Sequence, residues 1–191
     1  MKAYSIVMLG IGGVGKTALV QRLHKNIFDK TYIPTVEEFN QKTIVLDGKK
    51  YNIDITDTAG QECFHTMLDE YIRNADGFVL VYSVADPCSF DSLKKSIEKV
   101  REIKETDNIP MIGIFICYFK VAANKFDLGS KMDPTIVEKF QKTFDVPVLD
   151  TSASIDMNVE KLFQMILKNI LDMKQQTSPE ESNQKRRCLI C

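Results

Sequence analysis

Eight consecutive residues near the start of the chain, Gly10-Ile11-Gly12-Gly13-Val14-Gly15-Lys16-Thr17, have the order of a phosphate cradle, G-x-x-x-x-G-K-[ST]. Glycines let successive backbone N–H groups curl around phosphate oxygens, and a helix beginning at the end of the run adds its positive dipole end. The Lys16 ammonium supplies a point charge for the outer phosphates, and the Thr17 hydroxyl suits a magnesium ligand. The competing reading is a chance Gly-rich turn. With glycine near 7% of average composition, a chance match has a probability on the order of 1% or less. The motif alone says that a nucleoside triphosphate is handled, so base choice must be read from other residues.

Two further runs end strand-like segments: Asp57-Thr58-Ala59-Gly60-Gln61-Glu62 and Asn124-Lys125-Phe126-Asp127. A carboxylate such as Asp127 can accept from both the ring N–H and the exocyclic amine of guanine, a donor pair that adenine does not present. A site built on that pair rejects a base lacking it. Taken with the cradle, these runs resemble the signature of Ras-like small GTPases over roughly Lys2 to Met173, most like the Ras and Rap group. Pro34-Thr35-Val36-Glu37-Glu38-Phe39 and Gly77-Phe78-Val79-Leu80-Val81-Tyr82-Ser83 support that group, and Asp54-Ile55-Thr56 lacks the tryptophan typical of Rab-like and Rho-like members.

The resemblance implies a set of roles. Gly10, Gly12, Gly13, Val14, Gly15, Lys16, Thr17 and Ala18 would surround the phosphates of GTP or GDP. Mg2+ would be held by Thr17, Thr35 and, through water, Asp57. The Gly60 amide would sense the γ-phosphate, and Gln61 would orient the attacking water, with Lys16 and Thr35 completing the catalytic set. Phe28 would cover the base, Tyr32 would lie along the nucleotide, and Asn124 and Asp127 would read guanine. Lys125 would pack along the cradle, and Ser152-Ala153 would meet the guanine carbonyl. The loops Ile33 to Glu38 and Cys63 to Tyr71 would change between the GDP and GTP states and meet exchange factors, GTPase-activating proteins and effectors. No built-in arginine finger is evident, so intrinsic hydrolysis is expected on the order of 10⁻⁴ to 10⁻³ per second until an activating protein supplies one. Gly12 and Gln61 leave room and chemistry for that finger.

The elements that must position these groups follow from patterning. The chain has 191 residues, 44% of them hydrophobic, enough for one domain with a proper core. Short apolar runs alternate with amphipathic ones, which predicts an α/β P-loop NTPase fold: three layers, with helices on both faces of a mostly parallel six-stranded sheet. Strands are predicted over Ala3 to Leu9, Thr43 to Leu46, Tyr51 to Ile55, Gly77 to Val84 and Val146 to Leu149. Asp47-Gly48 makes a tight hairpin and so gives one antiparallel edge strand. Helices are predicted from about Lys16 to Asn26, Ser89 to Lys104 and Pro134 to Phe144. A last helix carries Val159, Leu162, Phe163, Ile166, Leu167, Ile170 and Leu171 at intervals of three and four, a core-facing stripe. The domain is expected to span residues 1–173.

From Lys174 to Arg187 no large apolar residue occurs, which predicts a flexible polar linker. Cys188-Leu189-Ile190-Cys191 after Lys185-Arg186-Arg187 fits a C-a-a-X motif with prenylation at Cys188, either farnesyl or geranylgeranyl, and loss of Leu189 to Cys191. A C-x-x-C redox or metal pair is the competing reading, but a disordered terminus offers neither a redox fold nor a second ligand pair. One lipid attaches only marginally, and three basic residues opposed by Glu180 and Glu181 are a modest second signal. The expected location is the cytoplasmic face of a membrane, the plasma membrane foremost, with exchange into the cytosol. No secretory signal or transmembrane run is read, and Cys63, Cys88 and Cys117 are read as free thiols. A net charge of -1 gives no global attraction to nucleic acid.

Two features depart from the family pattern. Ser154 stands where the family usually has a lysine whose stem covers the base, which predicts modestly faster nucleotide exchange. The apolar run Ile109 to Ala123 is fifteen residues, about 50 Å if fully extended, against about 17 to 20 Å for a usual strand. Deleting Gly113 to Lys120 restores the family spacing. The segment is then either an apolar insertion that loops out, or a translated short intron if Gly113 is encoded GGU and Lys120 AAA. Finding the eight codons of Gly113 to Lys120 in the mature transcript would end the second reading. A pseudo-GTPase, binding nucleotide without turnover because the insertion damages the base site, is the alternative function. A P-loop nucleoside or adenylate kinase fits poorly, since no arginine-rich lid follows the cradle and the Asn124 run would have no role.

Overall fold

The computed structural model describes residues 3–29, 37–58, 65–106 and 119–176. Six strands form one sheet in the order β2-β3-β1-β4-β5-β6: β1 (Ala3–Leu9), β2 (Glu37–Leu46), β3 (Lys49–Thr58), β4 (Gly77–Ser83), β5 (Phe119–Asn124) and β6 (Val148–Asp150). All neighbours are parallel except β2 and β3, so the one antiparallel strand lies at an edge, as expected. Both hairpin strands are longer than the apolar patterning suggests. Their ladder runs unbroken from Leu46↔Lys49 to Glu37↔Thr58, and backbone pairing, not side-chain burial, carries its polar outer residues.

Five helices complete the layers among the described residues: α1 (Lys16–Lys25), α2 (His65–Asn74), α3 (Pro87–Thr106), α4 (Pro134–Phe144) and α5 (Val159–Gln176). Because successive strand residues face opposite sides, Ile6, Met8, Val79 and Val81 join α1 and α5 in one core. Val7, Leu9, Phe78, Leu80 and Tyr82 join α2, α3 and α4 in the other. The stripe on α5 is buried as expected, except that Leu171 at its edge is half-buried. At Gly77 the approach is so close that a Cβ would lie 2.8 Å from Ile170 Cδ1.

Element ends follow local chemistry. Asn26 stops α1 with φ 56°, its N–H reaching the Arg22 carbonyl, and Asp133 caps α4 by accepting from the Thr135 N–H ahead of Pro134. Strand β6 begins at Val148, not Val146, because Pro147 has no N–H for the ladder. Helix α2 forms where Leu68, Tyr71 and Ile72, with Ala75 just past its end, repeat at helical spacing and dock on the second core.

One boundary is corrected. The linker does not begin at Lys174, since α5 continues to Gln176. Lys174 Nζ sits 2.6 Å from an Asp76 carboxylate oxygen and 4.7 Å from the Tyr4 ring centre, which anchors the last turn. Strand β5 begins inside the long apolar run: Phe119 and Lys120 pair with Phe78 and Val79, and the Phe119 ring stacks 5.6 Å from that of Phe78. The extra length therefore falls in residues 107–118, between α3 and β5 and outside the described residues. Lys120 is the one charged residue of β5 and is only 7% exposed. Removing Gly113 to Lys120 would place the apolar Ile112 at that buried position.

Candidate functional site

Strands β1, β3 and β5 end at the same edge of the sheet, where ligands gather in open α/β sheets. The cradle turns from β1 into α1 there. Gly10 adopts φ 142° and would place a Cβ 2.3 Å from the Val81 carbonyl oxygen, while Gly15 adopts φ 96° and would place one 2.4 Å from Asn124 Nδ2. Neither position accepts a side chain, so β4 and β5 fix the path of the loop. Lys16 folds back with Nζ 2.8 Å from the Gly10 oxygen and 3.1 Å from the Ile11 oxygen. Its ammonium is buried, and this desolvation lowers its pKa to about 8 despite the opposing pull of Asp57. A phosphate beside it would favour the charged form and raise that value again.

Asp57, near the end of β3, is fully buried, and neither carboxylate oxygen completes a hydrogen bond. Burial raises its pKa to about 6, against the smaller lowering influences of the Thr17 hydroxyl and Lys16, with Glu38 adding repulsion. The Thr17 hydroxyl thus lies close enough to act on the carboxylate. A buried carboxylate with unused lone pairs beside a hydroxyl is a donor set that fits Mg2+, which takes few protein oxygens and completes its shell from water and phosphate. Thr58 Oγ1 donates to the Met8 carbonyl at 2.7 Å and holds this end of β3 against β1.

The other half of the site rises from β5 and the loop after β6. Asn124 is 1% exposed; its Nδ2 donates to the Val14 carbonyl at 3.0 Å, and its Oδ1 accepts from the Ala153 N–H at 3.4 Å. It therefore brackets the cradle to the loop. Lys125, in a left-handed turn at φ 61°, donates to the Gly13 carbonyl at 2.7 Å, which lays it along the cradle. Asp127 follows in a short 3₁₀ turn, Phe126–Leu128, and is exposed. It accepts from Ser152 Oγ at 2.5 Å, and chiefly this hydroxyl holds its pKa below the usual carboxylate value, with Ser154 helping. Ser154 stands 3.1 Å from Ser152, Oγ to Oγ, so the serine in the lysine position extends a hydroxyl chain onto Asp127. Ser152 and Ala153 are buried. Phe28 is half-buried and packs on the α1 and α5 core.

Gly12, Gly13, Val14, Thr17 and Ala18 lie in the cradle and the first turn of α1. Tyr32, Thr35, Gly60, Gln61 and Cys188 lie outside the described residues, as do Cys63 and Cys117; Cys88 carries an exposed free thiol. Of the two segments expected to change with nucleotide, the described parts are Glu37–Glu38, which begin β2, and His65–Tyr71, which lie in α2. Beside them Phe39, 68% exposed, meets Tyr71 edge to face at 5.7 Å. Arg22, which belongs to no motif, also reaches the site, from α1 to the carbonyls of Ala153 and Ser154. Its partners are backbone atoms far along the chain, so no residue pattern advertises them.

A family model described as the Ras family matches residues 5–172. That span contains the cradle, the Asp57 strand end, Asn124, Asp127 and the Ser152 loop, and it covers most of the chain. The chain accordingly belongs to the Ras family of small GTP-binding switch proteins.

Proposed function

We propose that the protein is a GTP/GDP switch that hydrolyses GTP slowly with Mg2+ and is accelerated by an activating protein. The observation that carries this reading is the bracket at Asn124, which joins the phosphate cradle and the Asp127 base reader into one site. When bound, Mg2+ would neutralise charge on the β- and γ-phosphates. Thr17 and Asp57 would hold it, joined by Thr35 when the γ-phosphate is present. Lys16 would place its ammonium on the outer phosphates, and Gln61 would orient the water that attacks the γ-phosphorus as GDP leaves. Gly60 would report the γ-phosphate to its loop, and Tyr32 and Phe28 would flank the nucleotide. Exchange factors, activating proteins and effectors would read Ile33 to Glu38 and Cys63 to Tyr71.

Cys188, prenylated, would attach the switch to the cytoplasmic face of the plasma membrane, with a cytosolic fraction. No helix among the described residues is long and apolar enough to cross a membrane. The pseudo-GTPase alternative requires Gly113 to Lys120 to damage the base site. Against it, Asn124 leaves β5 with its bonds to Val14 and Ala153 in place.

Base choice gives the test. Asp127→Asn exchanges an acceptor oxygen for an N–H donor, so a base carrying a carbonyl in place of the guanine exocyclic amine should become the better ligand. In competition against fluorescent mant-GDP, the preference for GDP over xanthosine diphosphate is expected to fall by at least about tenfold in the variant. An unchanged preference would remove Asp127 as the base reader.

A further inference from the structure

Arg22 lies under two turns into α1, the helix whose first residue is the cradle's Lys16. Its guanidinium spans two elements. Nε donates to the Ala153 carbonyl at 2.8 Å and Nη2 to the Ser154 carbonyl at 3.1 Å. Nη1 donates to both the carbonyl and the side-chain oxygen of Asn26, each at 3.1 Å. The planar fork is thus set from behind by the residue that ends α1 and holds the loop with its front edge. A lysine could not reproduce this, having a single flexible ammonium.

The loop so held carries the groups that steady both base readers. The Ala153 N–H donates to Asn124, and the Ser152 hydroxyl donates to Asp127. We propose that Arg22 is a positioning residue of the nucleotide site: by gripping the Ala153 and Ser154 carbonyls from α1, it fixes the base-side loop against the phosphate-side helix and so sets how long a guanine nucleotide stays bound. This inference rests on the GTP/GDP reading above. One rigid helix would then tie the two ends of the ligand together, and loosening the grip would free the base end while leaving the metal end intact.

The loop has its own closure. Ser152 and Met157 exchange backbone hydrogen bonds at 3.1 and 2.9 Å, and the Thr151 N–H donates to Ala123 at 2.9 Å. Loss of Arg22 should therefore leave the fold standing. The test uses the full chain as wild type, Arg22→Gln and Arg22→Lys, each loaded with mant-GDP and chased with excess GDP, in Mg2+ and in EDTA. Release in Mg2+ is expected to be about tenfold faster for Arg22→Gln, the loss of roughly one charge-assisted hydrogen bond, and intermediate for Arg22→Lys. The factor by which EDTA accelerates release should stay within about twofold of wild type, because Thr17 and Asp57 are untouched. Release from Arg22→Gln at the wild-type rate would overturn the assignment. So would a collapse of the EDTA factor together with a large fall in melting temperature, which would mark general loosening. A wild-type chain that retains no mant-GDP would overturn the GTP/GDP reading itself, and the assignment with it.

Discussion

Asp57→Asn is expected to stabilise the nucleotide-free, metal-free protein at neutral pH while abolishing its magnesium-dependent hold on nucleotide. Burial raises the Asp57 pKa from 3.8 to about 6, so at pH 7 the folded chain carries a carboxylate in a place that disfavours it. That displacement corresponds to a penalty on the order of 2 to 3 kcal/mol. Between those two values the folded state binds the proton more tightly than the unfolded state. Unfolding free energy from this group therefore decreases as pH rises through that window and is lowest above about 6.

Asparagine removes the charge at nearly constant volume, but it also withdraws the attraction that supports the Lys16 ammonium. The net gain is accordingly expected to be smaller, about 1 kcal/mol, or roughly 2 to 4 °C in melting temperature. Melting curves from pH 5 to 8 should show the wild type losing stability toward neutral pH and the variant losing less. With nucleotide and Mg2+ present the order reverses, because the variant lacks the carboxylate that would hold the ion. Its mant-GDP release in Mg2+ should match its release in EDTA. A variant that kept the wild-type EDTA factor would show that the orphaned carboxylate is not a metal ligand.

Asn124→Ala should damage fold and function together. The side chain is fully enclosed, and its removal strands the Val14 carbonyl and the Ala153 N–H in a dry place and leaves a small cavity. The combined cost is about 2 to 3 kcal/mol, which lowers the melting temperature by roughly 4 to 12 °C in a chain of this size. Guanine nucleotide affinity should fall by at least about thirtyfold, since the cradle and the base loop lose their common bracket. Asn124→Asp keeps the volume but turns an acceptor toward the Val14 carbonyl, and is expected to be worse than alanine. Calorimetric titration with GDP alongside thermal melts separates the two effects. An alanine variant that melts lower yet binds GDP normally would reduce Asn124 to a structural role.

What the sequence made legible was local. The residues Gly10 to Thr17 declare a loop because glycine spacing, strand and helix start stand side by side, and the strand patterning gives the sheet with its antiparallel edge. Contacts between polar side chains and distant backbone left no such trace. Arg22 meets a carbonyl 131 positions away, and Lys174 reads as linker until Asp76, 98 positions earlier, is found beside it. Composition registers the polarity of the Lys174 to Gln176 turn but not the partner that orders it. No start for β5 was legible within the long apolar run, because only the placed backbone brings Phe119 beside Phe78 and into the ladder. Asn124 was legible as a functional residue, whereas its dual grip on Val14 and Ala153 follows only from the geometry of the two loops.

The central claim is tested most directly by single-turnover hydrolysis of GTP on the purified full chain, with ATP and EDTA controls. Turnover of GTP is expected on the order of 10⁻⁴ to 10⁻³ per second, dependent on Mg2+ and absent with ATP. Tight GTP binding without turnover, or equal turnover of ATP, would contradict it.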